Sequence, residues 1–145
     1  MAAVLVFSTL VAPSTMSGRE RPTVEELKGR LANAGIADRP PLCIQIAELH
    51  LGEADRSYVA GDSEKGQAAL ADVVTYAEFA RDYAIQSHKH EKQCEIAIRK
   101  EVRKLSDLKH TVSHDDQDEV QNTVDQLEKV RDDLLLAMFP KGGKK

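Results

Sequence analysis

The sequence predicts an all-α fold built from antiparallel helical hairpins, and three observations support this. Between Gly66 and Pro140 there is no glycine or proline, the two residues that most often interrupt a helix. Along that stretch apolar residues recur every three to four positions, which is the helical period. Aromatic residues make up only 4% of the chain, with no tryptophan, so we expect a core of small aliphatic side chains.

The N-terminal segment differs from the rest of the chain. Residues 2–12 (AAVLVFSTLVA) are apolar or small, and the first charged side chain is Arg19. The run is too short to cross a bilayer, which needs about 20 residues, but it suits the apolar region of a secretory signal. We therefore expect 1–17 to be a signal peptide and the mature protein to be periplasmic or secreted. The alternative is a disordered N-terminus on a cytoplasmic protein.

A linker over 18–22 leads into a single helical domain, expected over 23–139. Thr23 and Glu26 have the spacing of a capping box, which predicts a short helix over 23–34. Prolines at 40 and 41 suit the first turn of the next helix, expected over 41–60.

The main prediction is one long central helix over 62–111, shared by two hairpins. Such a helix would be about 75 Å long. Either it bends near Ser87 and its halves fold together, or the halves stay extended. Polar residues at 113–116 provide the turn to the last helix, over 115–139, and 140–145 is expected to be a mobile basic tail. The domain thus has three main helices and a short N-terminal one.

The apolar stripes agree with this arrangement, because facing residues of an antiparallel hairpin have a constant sum of residue numbers. One hairpin pairs Ile44/Ala80, Ala47/Ala77, Leu51/Val73 and Ala54/Leu70, and the other pairs Val124/Leu105, Leu127/Val102 and Leu134/Glu95. Glu95 is the one polar residue in either set. In this register Cys43 and Cys94 lie roughly 20 Å apart, too far for a disulfide, unless the central helix breaks between them.

The turn that joins 41–60 to the central helix carries a glycine and an acidic residue, with small residues where the two helices approach. Over residues 47–74, with Ala54, Gly61, Gly66 and Leu70 in comparable places, the chain resembles a single tetratricopeptide repeat. The resemblance implies two antiparallel helices packed closely at this turn.

His88, His90 and Cys94 form the one metal-like cluster of the sequence. His90 and Cys94 are four residues apart and share a helical face, and both side chains bind soft or borderline metals. The alternative interpretation is a solvated hinge with histidines on its surface.

Charge argues against nucleic-acid binding. The net charge is −4, and the basic stripe late in the central helix has no interleaved aromatic side chains for base stacking. Its expected role is to pair with the acidic last helix. We also expect no stable membrane insertion once the signal is removed.

The sequence contains no recognisable catalytic motif or phosphate loop, so we expect a non-catalytic protein without a cofactor. The leading interpretation is a helical interaction or scaffold protein that binds a protein partner or associates with itself. The predicted interaction surface comprises Ala84, Ile85, Met138 and Phe139. The alternative is a periplasmic metal- or cofactor-binding protein that uses His88, His90 and Cys94.

Overall fold

The computed structural model describes residues 20–141, which form helices joined by short turns, without a strand. The predicted signal segment and residues 142–145 of the tail lie outside these described residues. The elements are α1 (Val24–Asn33), a 3-10 turn (Ile36–Asp38), α2 (Arg39–Val59), α3 (Ser63–Ser87), α4 (Glu91–Lys109) and α5 (His114–Met138). The predicted all-α fold is confirmed. No helix in this part of the chain is both long and apolar enough to cross a membrane.

Helices α2 to α5 form a four-helix bundle. Helix α2 packs against α3 and α4, and α5 packs against α4 and α3, while α1 lies on the outer side of α2. One continuous core runs through all four helices. Successive helices alternate in direction, so α2 and α4 run parallel, as do α3 and α5. Arg81, late in α3, accordingly donates to Asp133, late in α5, across 3.0 Å.

The prediction of one continuous helix over 62–111 is wrong in one respect, because the observed helix breaks at residues 88–90. His88 and His90 both adopt left-handed backbone conformations, with φ of 56° and 67°. The amides of His88 and Lys89 both donate to the carbonyl of Ala84, which ends α3. The break folds α4 and α5 back onto α2 and α3. Of the two arrangements that the sequence left open, the bent one is therefore observed.

Glu95, the polar exception in the predicted register, is buried and ion-paired. Its carboxylate accepts from Nε of Arg131 on α5 across 2.7 Å, and Arg99 lies 3.4 Å away on the same helix. The charge pairing between α4 and α5 is thus the reverse of the expected one, since here α4 supplies the acid and α5 the base. The pair of buried Glu95 and partly exposed Arg131 helps to fix how α4 packs against α5.

At the opposite end of the bundle, Asp116 joins three segments. Its Oδ2 accepts hydrogen bonds from Ser63 at the start of α3, at 2.7 Å, and from Ser113 just before α5, at 2.8 Å. The carboxylate also lies near Tyr58, at the end of α2, whose pKa is raised to about 12 mainly by burial and further by the charges of Asp116 and Glu119. The parallel helices α3 and α5 therefore begin at the same level of the bundle.

Capping side chains and first-turn prolines mark the helix starts in the sequence. Thr23 and Glu26 form the predicted reciprocal capping box of α1, and the Asp62 side chain caps α3 by accepting from the Lys65 amide. Pro40 and Pro41 lie in the first turn of α2. Capping is decided by side chains within three residues of the helix end, so it can be seen in the sequence.

Two glycines in helices are expected to respond oppositely to alanine. A Cβ on Gly66 would lie 2.7 Å from the ring of Tyr58, whereas a Cβ on Gly52 would meet only the flexible guanidinium of Arg56, at 3.3 Å. Gly66→Ala should lower the free energy of unfolding by about 1–3 kcal/mol through overpacking. Gly52→Ala should raise it by roughly 0.5–1 kcal/mol through helix propensity. Urea denaturation measures both, and equal shifts would contradict the prediction.

The break between α3 and α4 should become more stable with glycine at its first left-handed position. His88→Gly relieves the cost of a side chain at positive φ and should raise the free energy of unfolding by about 1 kcal/mol. Lys89→Gly is the matched control, since Lys89 has an ordinary φ and should gain nothing. A loss of stability in His88→Gly, measured by thermal and urea denaturation, would show that the imidazole has a structural role.

Candidate functional site

A groove of about 830 Å³ lies between α1, α2 and α4. Its position follows from the fold, because α1 packs on α2 and leaves a channel between itself and α4. We call it the α2–α4 groove. It is lined by Arg21, Pro22 and Leu27 near α1, by Gln45, Glu48, Leu49, Leu51, Gly52 and Asp55 of α2, by Lys104, Asp107 and Leu108 of α4, and by Thr111 in the turn after α4.

The lining combines apolar walls with a mainly acidic set of charges. Leucines come from all three helices, and Gly52 leaves room where a side chain would otherwise project. Three carboxylates, those of Glu48, Asp55 and Asp107, stand against two cations, Arg21 and Lys104. The volume is in the range of ligand-binding clefts, about 300–1,000 Å³. The groove is therefore suited to an apolar side chain accompanied by a basic group.

Glu101 is the most unusual residue beside the groove. It is only 1% exposed, and neither carboxyl oxygen has a hydrogen-bond partner among the described residues. Burial and the nearby carboxylate of Glu48 raise its pKa to about 8, while Lys104 acts in the opposite direction. Glu48 and Lys104 themselves line the groove. At neutral pH Glu101 is thus mostly protonated, a hydrogen-bond donor directly behind the groove wall.

A smaller cleft of about 190 Å³ lies on the same side of the bundle, near the starts of α2 and α4. It shares Gln45 and Glu48 with the α2–α4 groove and is also lined by Pro41, Ile44, His90, Gln93 and Cys94. The two cavities are therefore neighbours along one helix interface, and Glu48 lies between them.

The predicted metal ligands are placed differently from one another. His90 and Cys94 line the smaller cleft, whereas His88 is exposed at the end of α3. The Nδ1 of His90 is hydrogen-bonded to the side chain of Gln93. Over residues 20–141, no group of three or more His, Cys, Asp or Glu side chains is arranged to hold a metal ion. The structure thus brings two of the three together and adds no further ligand.

The helix break changes the relation between the cysteines. Cys43 and Cys94 are both unpaired and buried, and they are close enough for Cys43 to raise the pKa of Cys94. Burial is the main reason that the pKa values are raised, to about 11 for Cys43 and about 12 for Cys94. The separation expected for an unbroken central helix is therefore wrong. At neutral pH both groups are thiols, which are poor nucleophiles.

The predicted interaction surface is corrected at one residue. Ala84 is 0% exposed, because the break packs α4 and α5 over it, so the folded protein does not present it to a partner. Ile85 and Met138 are partly buried. Phe139 is 70% exposed and Leu136 is 47% exposed, so the end of α5 presents the apolar surface expected there.

The sequence analysis predicted neither Glu101 nor the groove, although one feature of the sequence pointed to Glu101. Glu101 is spaced three residues after Ile98 and four before Leu105, within the apolar face of α4. A carboxylate on a buried stripe needs a partner or a function. No pattern in the sequence predicts the groove, because the groove depends on how α1 and α4 pack against α2.

No protein-family model, curated protein or solved structure matches the chain. Inference about function therefore depends on the geometry of the described residues.

Removing the Glu101 carboxyl should flatten the pH dependence of stability. Its pKa is raised from 4.5 to about 8 in the folded protein, so unfolding releases a proton between these values. Its stabilising contribution is complete below pH 4.5 and is lost as the pH rises through 8, with a slope of up to about 1.4 kcal/mol per pH unit. Glu101→Gln should lack this slope.

Urea denaturation between pH 5 and 9 measures the effect as the difference between the two proteins. Glu78→Gln, on the exposed side of α3, is the matched control and should keep the slope of the natural protein. A slope that survives in Glu101→Gln would mean that another group titrates.

Proposed function

We propose that this protein is a non-catalytic, exported helical scaffold that associates with itself, the end of α5 of one copy occupying the α2–α4 groove of another. The observation that carries the proposal is the groove, with its apolar walls and predominantly acidic charges. The chain carries a complementary segment of its own, in which exposed Phe139 is followed by a basic tail.

Charge and hydrophobicity match between these two surfaces. The end of α5 offers Leu136 and Phe139 as exposed apolar side chains, and the sequence continues as Pro-Lys-Gly-Gly-Lys-Lys. An aromatic anchor entering an apolar pocket, with charged residues around it, is the usual arrangement of a binding hot spot. Three of the five charged groups that line the groove are carboxylates, which favours an occupant with lysines over one with acidic residues. Opposite charge also speeds association and is weakened by salt.

The occupant must come from a second copy. The groove lies toward the end of α4, between Lys104 and Thr111, whereas α5 runs antiparallel to α4 and ends near its start. The α4 residues that line the groove, Lys104 to Leu108, lie 13 to 17 residues after Glu91 at the start of α4, so these two places are about 20–26 Å apart along the bundle. Phe139 is held at the helix end by a 2.8 Å hydrogen bond from its amide to Leu135 and cannot reach its own groove.

Blocking either surface should dissociate the assembly. Gly52→Leu places a side chain in the groove, and Phe139→Ser removes the anchor. Each should raise the dissociation constant by about tenfold or more, which corresponds to 1.4 kcal/mol. Gly52→Ala is the matched control for the first variant and should leave association unchanged. Sedimentation of the full chain over a range of concentrations and salt measures these effects.

Mixing the two variants provides a sharper test. Gly52→Leu keeps an intact α5 end and Phe139→Ser keeps an open groove, so an equimolar mixture should regain association, limited to pairs of unlike copies. Association that persists in Gly52→Leu, or a mixture that stays monomeric, would overturn the proposal. A natural chain that is monomeric at all concentrations would overturn it as well.

A metal- or cofactor-binding role is the second candidate, favoured by the fact that His90 and Cys94 line the same cleft. It is tested by titration with Zn²⁺ and Cu⁺. Stoichiometric binding that is lost in His90→Ala would support it, and the absence of binding in the micromolar range would end it. His88→Ala separates the contribution of the exposed imidazole.

A further inference from the structure

The buried cysteines lie at the same level of two adjacent, parallel helices. Cys43 is in the second turn of α2, which begins at Arg39, and Cys94 is in the first turn of α4, which begins at Glu91. Both helices begin at the same end of the bundle, since α3 returns the chain there, and Arg39 at the start of α2 donates to Tyr83 late in α3 across 3.1 Å.

The smaller cleft also brings the two positions near each other. Cys94 lines it with its neighbours His90 and Gln93, and the opposite wall includes Pro41 and Ile44, which flank Cys43 in the sequence. Both thiols belong to the one core of the bundle, with exposed fractions of 0% and 1%. Cys43 is also close enough to Cys94 to contribute to the raised pKa of that thiol, after burial. The two sulfhydryl groups therefore lie near each other in the core between α2 and α4.

We propose that Cys43 and Cys94 are a modification site, at which a disulfide-bearing oxidant links α2 to α4. A disulfide is neutral, so it suits an apolar site in which two thiolates would be costly. The link would join the two halves of the molecule, α2/α3 and α4/α5, which are otherwise connected in sequence only by the strained residues 88–90. Such bonds persist in oxidising compartments.

The reaction proceeds in two exchanges and is balanced. Cys94, which lines the cleft, loses its proton and attacks one sulfur of the oxidant RSSR, forming a mixed disulfide and releasing RS⁻. Cys43 then loses its proton and attacks the Cys94 sulfur, releasing the second RS⁻. The two released thiolates take up the two protons, so the protein is oxidised by two electrons and RSSR is reduced to two RSH.

Burial of both thiols governs how fast this happens. Because their pKa values are raised, to about 11 and about 12, few thiolates exist at neutral pH and oxidation of the folded protein is slow. The rate should rise with pH and with transient opening of the cleft. The equilibrium position is a separate quantity, set by how well the folded backbone accommodates the bond.

The experiment compares the oxidation of the full natural chain in folded and unfolded states. The reduced protein is equilibrated with reduced and oxidised glutathione, with and without urea, and trapped with acid. Intact mass shows the loss of two hydrogens, and peptide mapping identifies the linked residues. If the fold brings the thiols together, the oxidation constant should be larger in the folded protein, on the order of a hundredfold.

The same measurement can overturn the proposal. An oxidation constant no larger in the folded protein than in urea would show that the fold does not favour the bond. A melting temperature that falls on oxidation, or a product made only of linked dimers, would show the same. A melting temperature that rises and returns to its original value with dithiothreitol supports the proposal, and it requires no substitution that could impair folding.

A variant pair tests the order of attack. In Cys43→Ala the mixed disulfide at Cys94 cannot be resolved, so a glutathione adduct should accumulate there. In Cys94→Ala the less accessible Cys43 should react more slowly and give less adduct. Circular dichroism checks that both variants are folded. Equal adduct yields would contradict the role of the cleft as the entry path.

Discussion

The fold depends on the interruption of one helical run at residues 88–90. His88 and His90 adopt left-handed conformations that cost an L-residue roughly 1–2 kcal/mol each, without a glycine to lower that cost. In return, α4 and α5 fold onto α2 and α3, and residues such as Ala84, Cys94 and Ile98 enter a common core. Burial of a single aliphatic side chain contributes about 1.5–3 kcal/mol. A few such side chains outweigh the strain, and an extended pair of two-helix cores could not bury as much.

Closing the bundle also creates its polar interior. Glu95 is buried and paired with the partly exposed Arg131, so its charge is compensated and the pair helps to fix the contact of α4 with α5. Glu101 lies six residues further along the same helix and has no such partner among the described residues. Burial raises its pKa, so Glu101 stays mostly protonated at neutral pH. Of these two buried carboxyl groups on one helix, Glu95 is compensated by an ion pair and Glu101 by protonation. Glu101 lies close to two residues of the α2–α4 groove, Glu48 and Lys104.

The two proposals use opposite ends of the interface between α2 and α4. The groove near Gly52 and Leu108 is open, with three carboxylates against two cations, and it is suited to receive a segment from outside. The two thiols of Cys43 and Cys94 are buried in the apolar core, beside the smaller cleft. A bond between them would hold the starts of α2 and α4 together while leaving the groove free. The proposed assembly and the proposed oxidation would therefore use separate parts of one interface.

The sequence by itself determined the helical class, the capping box of Thr23 and Glu26, and the exposed apolar end of α5 at Phe139. These features depend on periodicity and on side chains within a few residues, so they can be read locally. Only the tertiary structure decided that the central helix breaks, that Ala84 is buried, and that Cys43 meets Cys94. The backbone at His88 is unfavourable by local propensity and is held there by packing between distant helices. For the same reason the groove, and the unpaired carboxyl of Glu101 beside it, could not be located until the helices were assembled.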